Sequence, residues 1–268
     1  MHNDTVIVRG GGDIATGVVH RLVRCGFKVL ILEVEQPTVI RRTVSFAQAV
    51  FDGETEVEGV RAVLAENVND ALRAAEEKKV PVIIDEAGNS IRVLKPGIVV
   101  DAILAKKNIG TYTTMAPIVI GLGPGFTAGE DVHAVIETNR GHNLGRLILK
   151  GSAEPDTGKP GEIGGYGSER VIRSPGKGLV KTAASIGDIV EKGQIVAYVG
   201  EIPVAVPING VLRGLIQNGL TVAEGLKIGD VDPRKRTEYC FSISDKARAI
   251  AGGVLEAVLY LGPQIFNW

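Results

Sequence analysis

Apolar positions follow two different spacings near the start of the chain. "TVIV" (5–8) is an unbroken run of mostly β-branched residues, whereas in "DIATGVVHRLVRC" (13–25) Ile14, Val18, Leu22 and Cys25 recur at intervals of 4, 4 and 3. The first predicts a buried strand, "TVIVRG" (5–10), and the second a helix with one apolar face. On that face Cys25 is expected to be a core thiol. Gly26 stops the helix, and "FKVLILE" (27–33) forms a second strand ending in Glu33. Downstream, 43–51 suits a short helix, 57–66 is weakly strand-like, and "NVNDALRAAEEKKV" is a helix with an Asn start. Strands follow at 80–85, 116–123, 131–138 and 145–150, and 97–105 is another strand or a strand turning into a helix. Strands interleaved with helices imply a parallel or mixed sheet with covered faces.

Between the first strand and first helix stands "RGGGDIATG" (9–17), which fits G-x-G-x-x-[GA] through Gly10, Gly12 and Ala15, with Gly11 between them. Gly10 permits a tight turn, Gly12 lets an anion approach the backbone, and Ala15 allows close helix–strand packing. The helix N-terminus offers free N–H groups to a phosphate. Glu33, 21 residues after Gly12, stands where an acid would bind ribose hydroxyls. Asp13 opens the helix, either capping it or repelling the same anion. A turn that is purely structural is the alternative.

"GLGPGF" (121–126) is a second glycine loop after an apolar strand, and Gly121, Gly123 and Gly125 are expected to line the same crevice. Arg140, His142 and Asn143 in "TNRGHNLG" are candidates to contact phosphate or an amide-bearing base, although an Asn- and Gly-rich turn needs no ligand. His133 reads as a packed or exposed strand residue. Arg41 and Arg42 suit either a bidentate phosphate contact or a solvated loop. Asp85 and Asp101 end strand runs and are weaker candidates. No zinc-ligand spacing, nucleophile elbow or P-loop lysine is present, so no metal site and no catalytic residue is assigned.

The pattern changes near residue 151, where "GSAEPDTGKPGEIGGYGSER" reads as a linker. Beyond it, 174–196 aligns with 206–228 at an offset of 32, matching Pro175 with Pro207, Gly178 with Gly210, Gly187 with Gly219 and Gly193 with Gly225. This internal repeat predicts a small all-β module with quasi-two-fold symmetry. "SDKARAIAGGVLEAVLYLG" is a final helix, capped by Ser244 and closed by Gly262-Pro263, with Gly252-Gly253 marking a close contact. The expected domains are 1–165, a Rossmann-like α/β domain; 166–240, the repeat module; and 241–268, the C-terminal helix packed on the first domain.

Composition narrows the classes. A net charge of −1 with no long basic run gives no reason to expect nucleic acid, and no apolar run reaches membrane-spanning length. Two cysteines far apart do not make a disulfide scaffold, so a reducing cytoplasm is expected. Hydrophobic residues make up 44% but aromatics only 4%, an aliphatic balance that suits α/β interiors.

The blocks "RGGGDIATG", "RRTVSFAQAV", "APIVIGLGPGFTAGEDVHAVIETNRGHNLGR", "GEIGGYGSERV", "AVPINGVLRGLI" and "LKIGDVDPR" resemble the YqeB family from about residue 5 to 260. The resemblance implies an accessory or maturation protein for a selenium-dependent molybdenum hydroxylase, with that apo-enzyme as partner. It makes molybdopterin dinucleotide, or another nucleotide, a plausible ligand of the glycine turn. The repeat module resembles the biotinyl/lipoyl, or barrel-sandwich, group. Its hairpin "GEIPVAV" (200–206) contains no lysine, which argues against a swinging-arm carrier. The fold expectation is therefore α/β, a Rossmann-like domain plus a barrel-sandwich module and a C-terminal helix. An NAD-binding oxidoreductase and a docking protein with an empty Rossmann fold remain the alternatives, and a homo-oligomer is compatible with all three.

Overall fold

The computed structural model describes residues 2–158 and 161–265; Lys159 and Pro160 of the expected linker lie outside the described residues. The chain divides into two compact units. Unit 1 comprises the residues up to Pro37, Ser45–Thr157 and those from Ile243; unit 2 comprises Thr38–Val44 and Gly158–Ser242. The boundaries thus differ from 1–165, 166–240 and 241–268. The seven residues 38–44 leave the first unit for the second, and the final helix belongs to unit 1.

Unit 1 is built on strands β1 (His2–Arg9), β2 (Lys28–Glu33), β3 (Glu54–Val57), β4 (Val60–Ala65), β5 (Val80–Ile84), β6 (Pro96–Asp101), β7 (Ile118–Leu122), β8 (Thr127–Ala128), β9 (Ala134–Ile136), β10 (Leu147–Ile148) and β11 (Gly151–Ser152). Its helices are α1 (Asp13–Arg24), α2 (Ala49–Asp52), α3 (Val68–Glu76), α4 (Asn89–Leu94) and α5 (Asp245–Ile265). Nine strands form one sheet in the order β10-β9-β7-β6-β1-β2-β5-β4-β3. The inner pairings are parallel, and the edge pairs β3·β4 and β9·β10 are antiparallel.

This corrects the expected fold class. The sheet is mixed, it ends in an antiparallel hairpin at each edge, and β5 lies between β2 and β4, so unit 1 departs from the plain Rossmann-like domain expected. β8 and β11 form a separate two-stranded antiparallel sheet.

Alternation along the strands selects the two faces of the large sheet. Ile7, Leu30, Leu32, Ile83, Val99, Val119 and Val135 pack in one cluster with Ala71 of α3 and Ile91 of α4. Asn67 caps α3, its side-chain oxygen accepting from the Asp70 N–H at 3.1 Å. The short α4 gave no clear periodic signal in the sequence.

α1 and α5 pack on each other through small residues. A β-carbon on Gly17 would lie 2.8 Å from the Ala247 Cβ, and one on Gly253 would overlap the Gly145 carbonyl oxygen. Ser244 caps α5 through its Oγ, which accepts from the Ala247 N–H at 3.1 Å. Two expectations about these helices need correction. α5 does not close at Gly262-Pro263 but continues through Pro263 to Ile265. Cys25 is exposed at the end of α1 rather than part of the core, because the helix ends before its face turns inward.

Unit 2 holds β12 (Val171–Arg173), β13 (Gly178–Thr182), β14 (Ile189–Val190), β15 (Ile195–Val199), β16 (Ile202–Ala205), β17 (Gly210–Leu215), β18 (Thr221–Val222) and β19 (Lys227–Asp232). They form two four-stranded sheets, β12-β19-β17-β14 and β16-β15-β13-β18, with antiparallel pairings throughout. The repeat is visible in the pairing: β13·β15 corresponds to β17·β19, and β13·β18 corresponds to β17·β14. Each half therefore lends a strand to the other's sheet. The second sheet class is thus a pair of small antiparallel sheets, which replaces the single barrel-sandwich label. Among the described residues no helix is long and apolar enough to cross a membrane.

The adjacent glycines of α5 should respond oppositely to alanine. Nothing lies within 4 Å of a β-carbon at Gly252, so Gly252→Ala should stabilise by about 0.5–1 kcal/mol through helix propensity. Gly253→Ala should cost roughly 1–3 kcal/mol, because its methyl meets Gly145 and Ile136. Urea denaturation of the two variants measures the difference.

Candidate functional site

Parallel strands β1, β6, β7 and β9 deliver their following loops to one edge of the unit 1 sheet. The first of these is the glycine turn. Gly10 adopts φ +93°, donates its N–H to the Leu32 carbonyl at 2.7 Å, and faces the Ala102 carbonyl where a β-carbon would lie 3.0 Å away. Gly11 donates to Glu33 Oε2 at 2.7 Å, while its carbonyl accepts from the Ala47 N–H at 2.9 Å and from Thr16 Oγ1 at 3.2 Å. A β-carbon on Gly11 would sit 2.8 Å from the Ala47 nitrogen. Thr16 Oγ1 in turn accepts from the Phe46 N–H at 2.9 Å.

The buried segment Ser45, Phe46, Ala47 and Gln48 therefore lies directly on the turn. Glu33 is equally occupied, because its second oxygen accepts from the Val34 N–H at 2.8 Å. Burial pushes the Glu33 carboxyl above its usual value, and the two backbone donors pull the other way.

Several groups of the expected nucleotide seat are thus engaged within the chain. Gly10, Gly11 and Ala15 serve close packing of the chain on itself, and Glu33 holds backbone N–H groups instead of a ribose. Gly12 precedes α1 in extended conformation with no side-chain cap, and its carbonyl accepts from the Thr16 N–H at 2.8 Å.

The second glycine loop is also packed on itself. A β-carbon on Gly121 would lie 2.5 Å from the Phe126 ring, one on Gly123 would overlap Thr138 Oγ1, and one on Gly125 would lie 2.6 Å from the Lys107 Cα. Arg140 makes a bidentate pair with Asp245 at 2.7 and 2.8 Å. His142 is exposed. Asn143 lines an open groove of about 370 Å³ with Glu137, Arg146 and Glu154. His133 accepts the Val119 N–H on Nδ1 at 2.9 Å, and burial holds its pKa down.

Arg41 and Arg42 are pinned within unit 2. Arg41 donates to the Tyr239 carbonyl at 2.8 Å, and Arg42 to the Leu215 carbonyl at 2.8 Å. Asp85 caps α4 through the N–H groups of Asn89 and Ser90. Asp101 is buried against Arg9 and Thr111.

One cluster was not anticipated. Lys246, half-buried in the first turn of α5, has charge interactions with Arg140, Asp13, Lys106 and Glu137. Burial lowers its ammonium pKa most, the Arg140 and Lys106 charges lower it further, and Asp13 and Glu137 oppose them. Lys106 pairs with Asp156 at 2.5 Å, and Glu137 accepts from the N–H groups of Asn139 and Glu154, each at 2.7 Å. Asp13 and Arg140 were legible as candidates. Lys246 was not, because a lysine after a helix cap carries no signal until the fold sets other cations beside it.

No protein-family model matches the chain. It is 55% identical over 256 residues to the "Uncharacterized protein YqeB" of Escherichia coli (strain K12), an alignment covering 96% of this chain and 47% of that protein. The chain thus spans about half the length of the curated relative it matches, and the likeness supports the YqeB family.

Similar solved structures include the apo ectoine utilization protein EutE (DoeB) from Ruegeria pomeroyi, 12% identical with a TM-score of 0.25, covering 84% of this chain and 85% of that one. An aspartoacylase family protein from Mesorhizobium loti is 10% identical with a TM-score of 0.27, covering 85% and 84%. A succinylglutamate desuccinylase from Silicibacter sp. is 14% identical with a TM-score of 0.25, covering 85% and 84%. These likenesses are loose, and no activity follows from them. None of the three is named as a Rossmann nucleotide-binding or molybdenum-maturation protein, and the correction of the expected fold rests on the strand order.

Glu33→Gln should destabilise unit 1 by about 1–3 kcal/mol, since an amide NH₂ would face one of the two N–H groups. Because the folded pKa of Glu33 is raised, its protonation contributes stability that is present below the ordinary 4.5 and lost as pH rises through the folded value. The gap between wild type and Glu33→Gln should therefore widen on acidification toward that value, as read by denaturant melts across pH.

Proposed function

We propose that this chain, similar to YqeB along nearly its whole length, is a binding protein that holds a small anionic ligand beside Lys246 at the carboxyl edge of the unit 1 sheet. The observation that carries the reading is Lys246 itself. Its ammonium is half-buried, sits near two further cations, and forms no direct ion pair among the described residues. Arg140 and Lys106 are paired with Asp245 and Asp156, and although Asp13 and Glu137 also act on Lys246, neither forms a direct ion pair with it among the described residues. A buried cation without a direct counter-ion is costly, and an anion placed there offsets the cost. The site is thus better suited to receive an anion than to stay empty.

The finer part of the family resemblance joins the same proposal. A selenium-dependent molybdenum hydroxylase apo-enzyme is the partner class to test, and the chain would act beside it as an accessory protein. That part rests on resemblance alone.

Titration calorimetry with inorganic sulfate tests the site, because sulfate keeps its charge across the useful pH range. Lys246→Met should weaken binding by about tenfold or more, while Lys246→Arg retains it. Unchanged affinity in Lys246→Met would refute the reading. The pH dependence has a definite sign. The lowered pKa means that the folded chain releases its proton before the ordinary 10.5, so sulfate affinity should fall as pH rises through the lowered value. Over the same window the stability cost of the charged lysine is relieved, and wild type should gain on Lys246→Met. Co-elution of the chain with the apo-hydroxylase in gel filtration tests the partner, and separate elution would remove it.

A further inference from the structure

We propose that the cavity between α4 and the β6–β7 connection is a second ligand site, one that takes a small amphipathic anion: an apolar body carrying a carboxylate, sulfonate or phosphate. The cavity measures about 710 Å³, within the range of small-ligand sites and too small for a folded partner. Its lining includes no residue of the Lys246 cluster.

The floor is apolar. Ile91 and Ala116 belong to the main core cluster of unit 1, and Met115 packs partly buried against it. The rim is cationic and aromatic, with Arg92, Lys95 and Tyr112 exposed around the opening. No Asp or Glu lines the cavity. Among the described residues neither the Arg92 guanidinium nor the Lys95 ammonium makes a hydrogen bond or an ion pair. Two uncompensated cations over an apolar floor match a ligand with an acidic head and an apolar body.

Lys95 is the residue after α4, with φ +45° and ψ +60°, the left-handed conformation usually left to glycine at a helix end. The nearby Arg9 is not part of the rim charge, because Asp101 and Thr111 already hold its guanidinium.

The probe is 8-anilinonaphthalene-1-sulfonate, with N-phenyl-1-naphthylamine as its uncharged counterpart, both followed by fluorescence on the full chain. Wild type should bind the sulfonate saturably at one site. The double variant Arg92→Ala/Lys95→Gly should lose about tenfold or more in sulfonate affinity while binding the amine as before. Lys95→Gly suits the left-handed backbone, so an unchanged or raised melting temperature shows that the fold is kept. Competition by 2-naphthoate or naphthyl phosphate would support the site. No saturable sulfonate binding to wild type, equal sulfonate affinity in wild type and double variant, or equal loss of both probes would overturn it.

Discussion

No β-carbon fits between Gly11 and the backbone of Ala47, and much of unit 1 follows from that approach. The Gly11 carbonyl takes the Ala47 N–H, its own N–H goes to Glu33, and Thr16 bridges the turn to Phe46. One buried junction therefore ties β1, the start of α1, the end of β2 and the segment before α2. The same device recurs at Gly10 against Ala102, Gly17 against Ala247 and Gly253 against Gly145. Backbone approaches this close exclude any side chain, so the glycines are fixed by packing before any ligand is considered.

This explains why a glycine motif can mislead. G-x-G-x-x-A records that something approaches the backbone closely, but not whether it is a pyrophosphate or another stretch of the same chain. In this fold the residues after β2 run back over the turn, and a buried carboxylate saturates the amide that a phosphate would use. Charges gather in the neighbouring loops at the carboxyl edge of the sheet, where Arg140, Lys106, Asp13 and Glu137 act on Lys246, which forms no direct ion pair among the described residues.

Unit 2 illustrates a complementary economy. Its repeat builds two sheets by exchanging strands between halves, so each half completes the other's hydrogen-bond ladder. Arg41 and Arg42, which suited either a phosphate contact or a solvated loop, donate to the carbonyls of Tyr239, Ser242 and Leu215. Guanidinium groups satisfy several carbonyls at once, which suits them to pinning a separate segment of chain.

The sequence alone determined what depends on neighbouring residues. The β-branched runs, the spacing of Ile14, Val18 and Leu22, the Asn67 and Ser244 caps and the 32-residue repeat all encode local order, and the corresponding strands, helices and paired sheets are present. Tertiary structure decided the rest. It alone placed β5 between β2 and β4, laid Ala47 on Gly11, exposed Cys25, carried α5 through Pro263, and set Lys246 beside Arg140 and Lys106. The placements of β5, Ala47 and Lys246 involve groups tens to hundreds of residues apart. Periodicity and capping act over a few residues, whereas burial and charge are set by whatever the whole chain brings alongside.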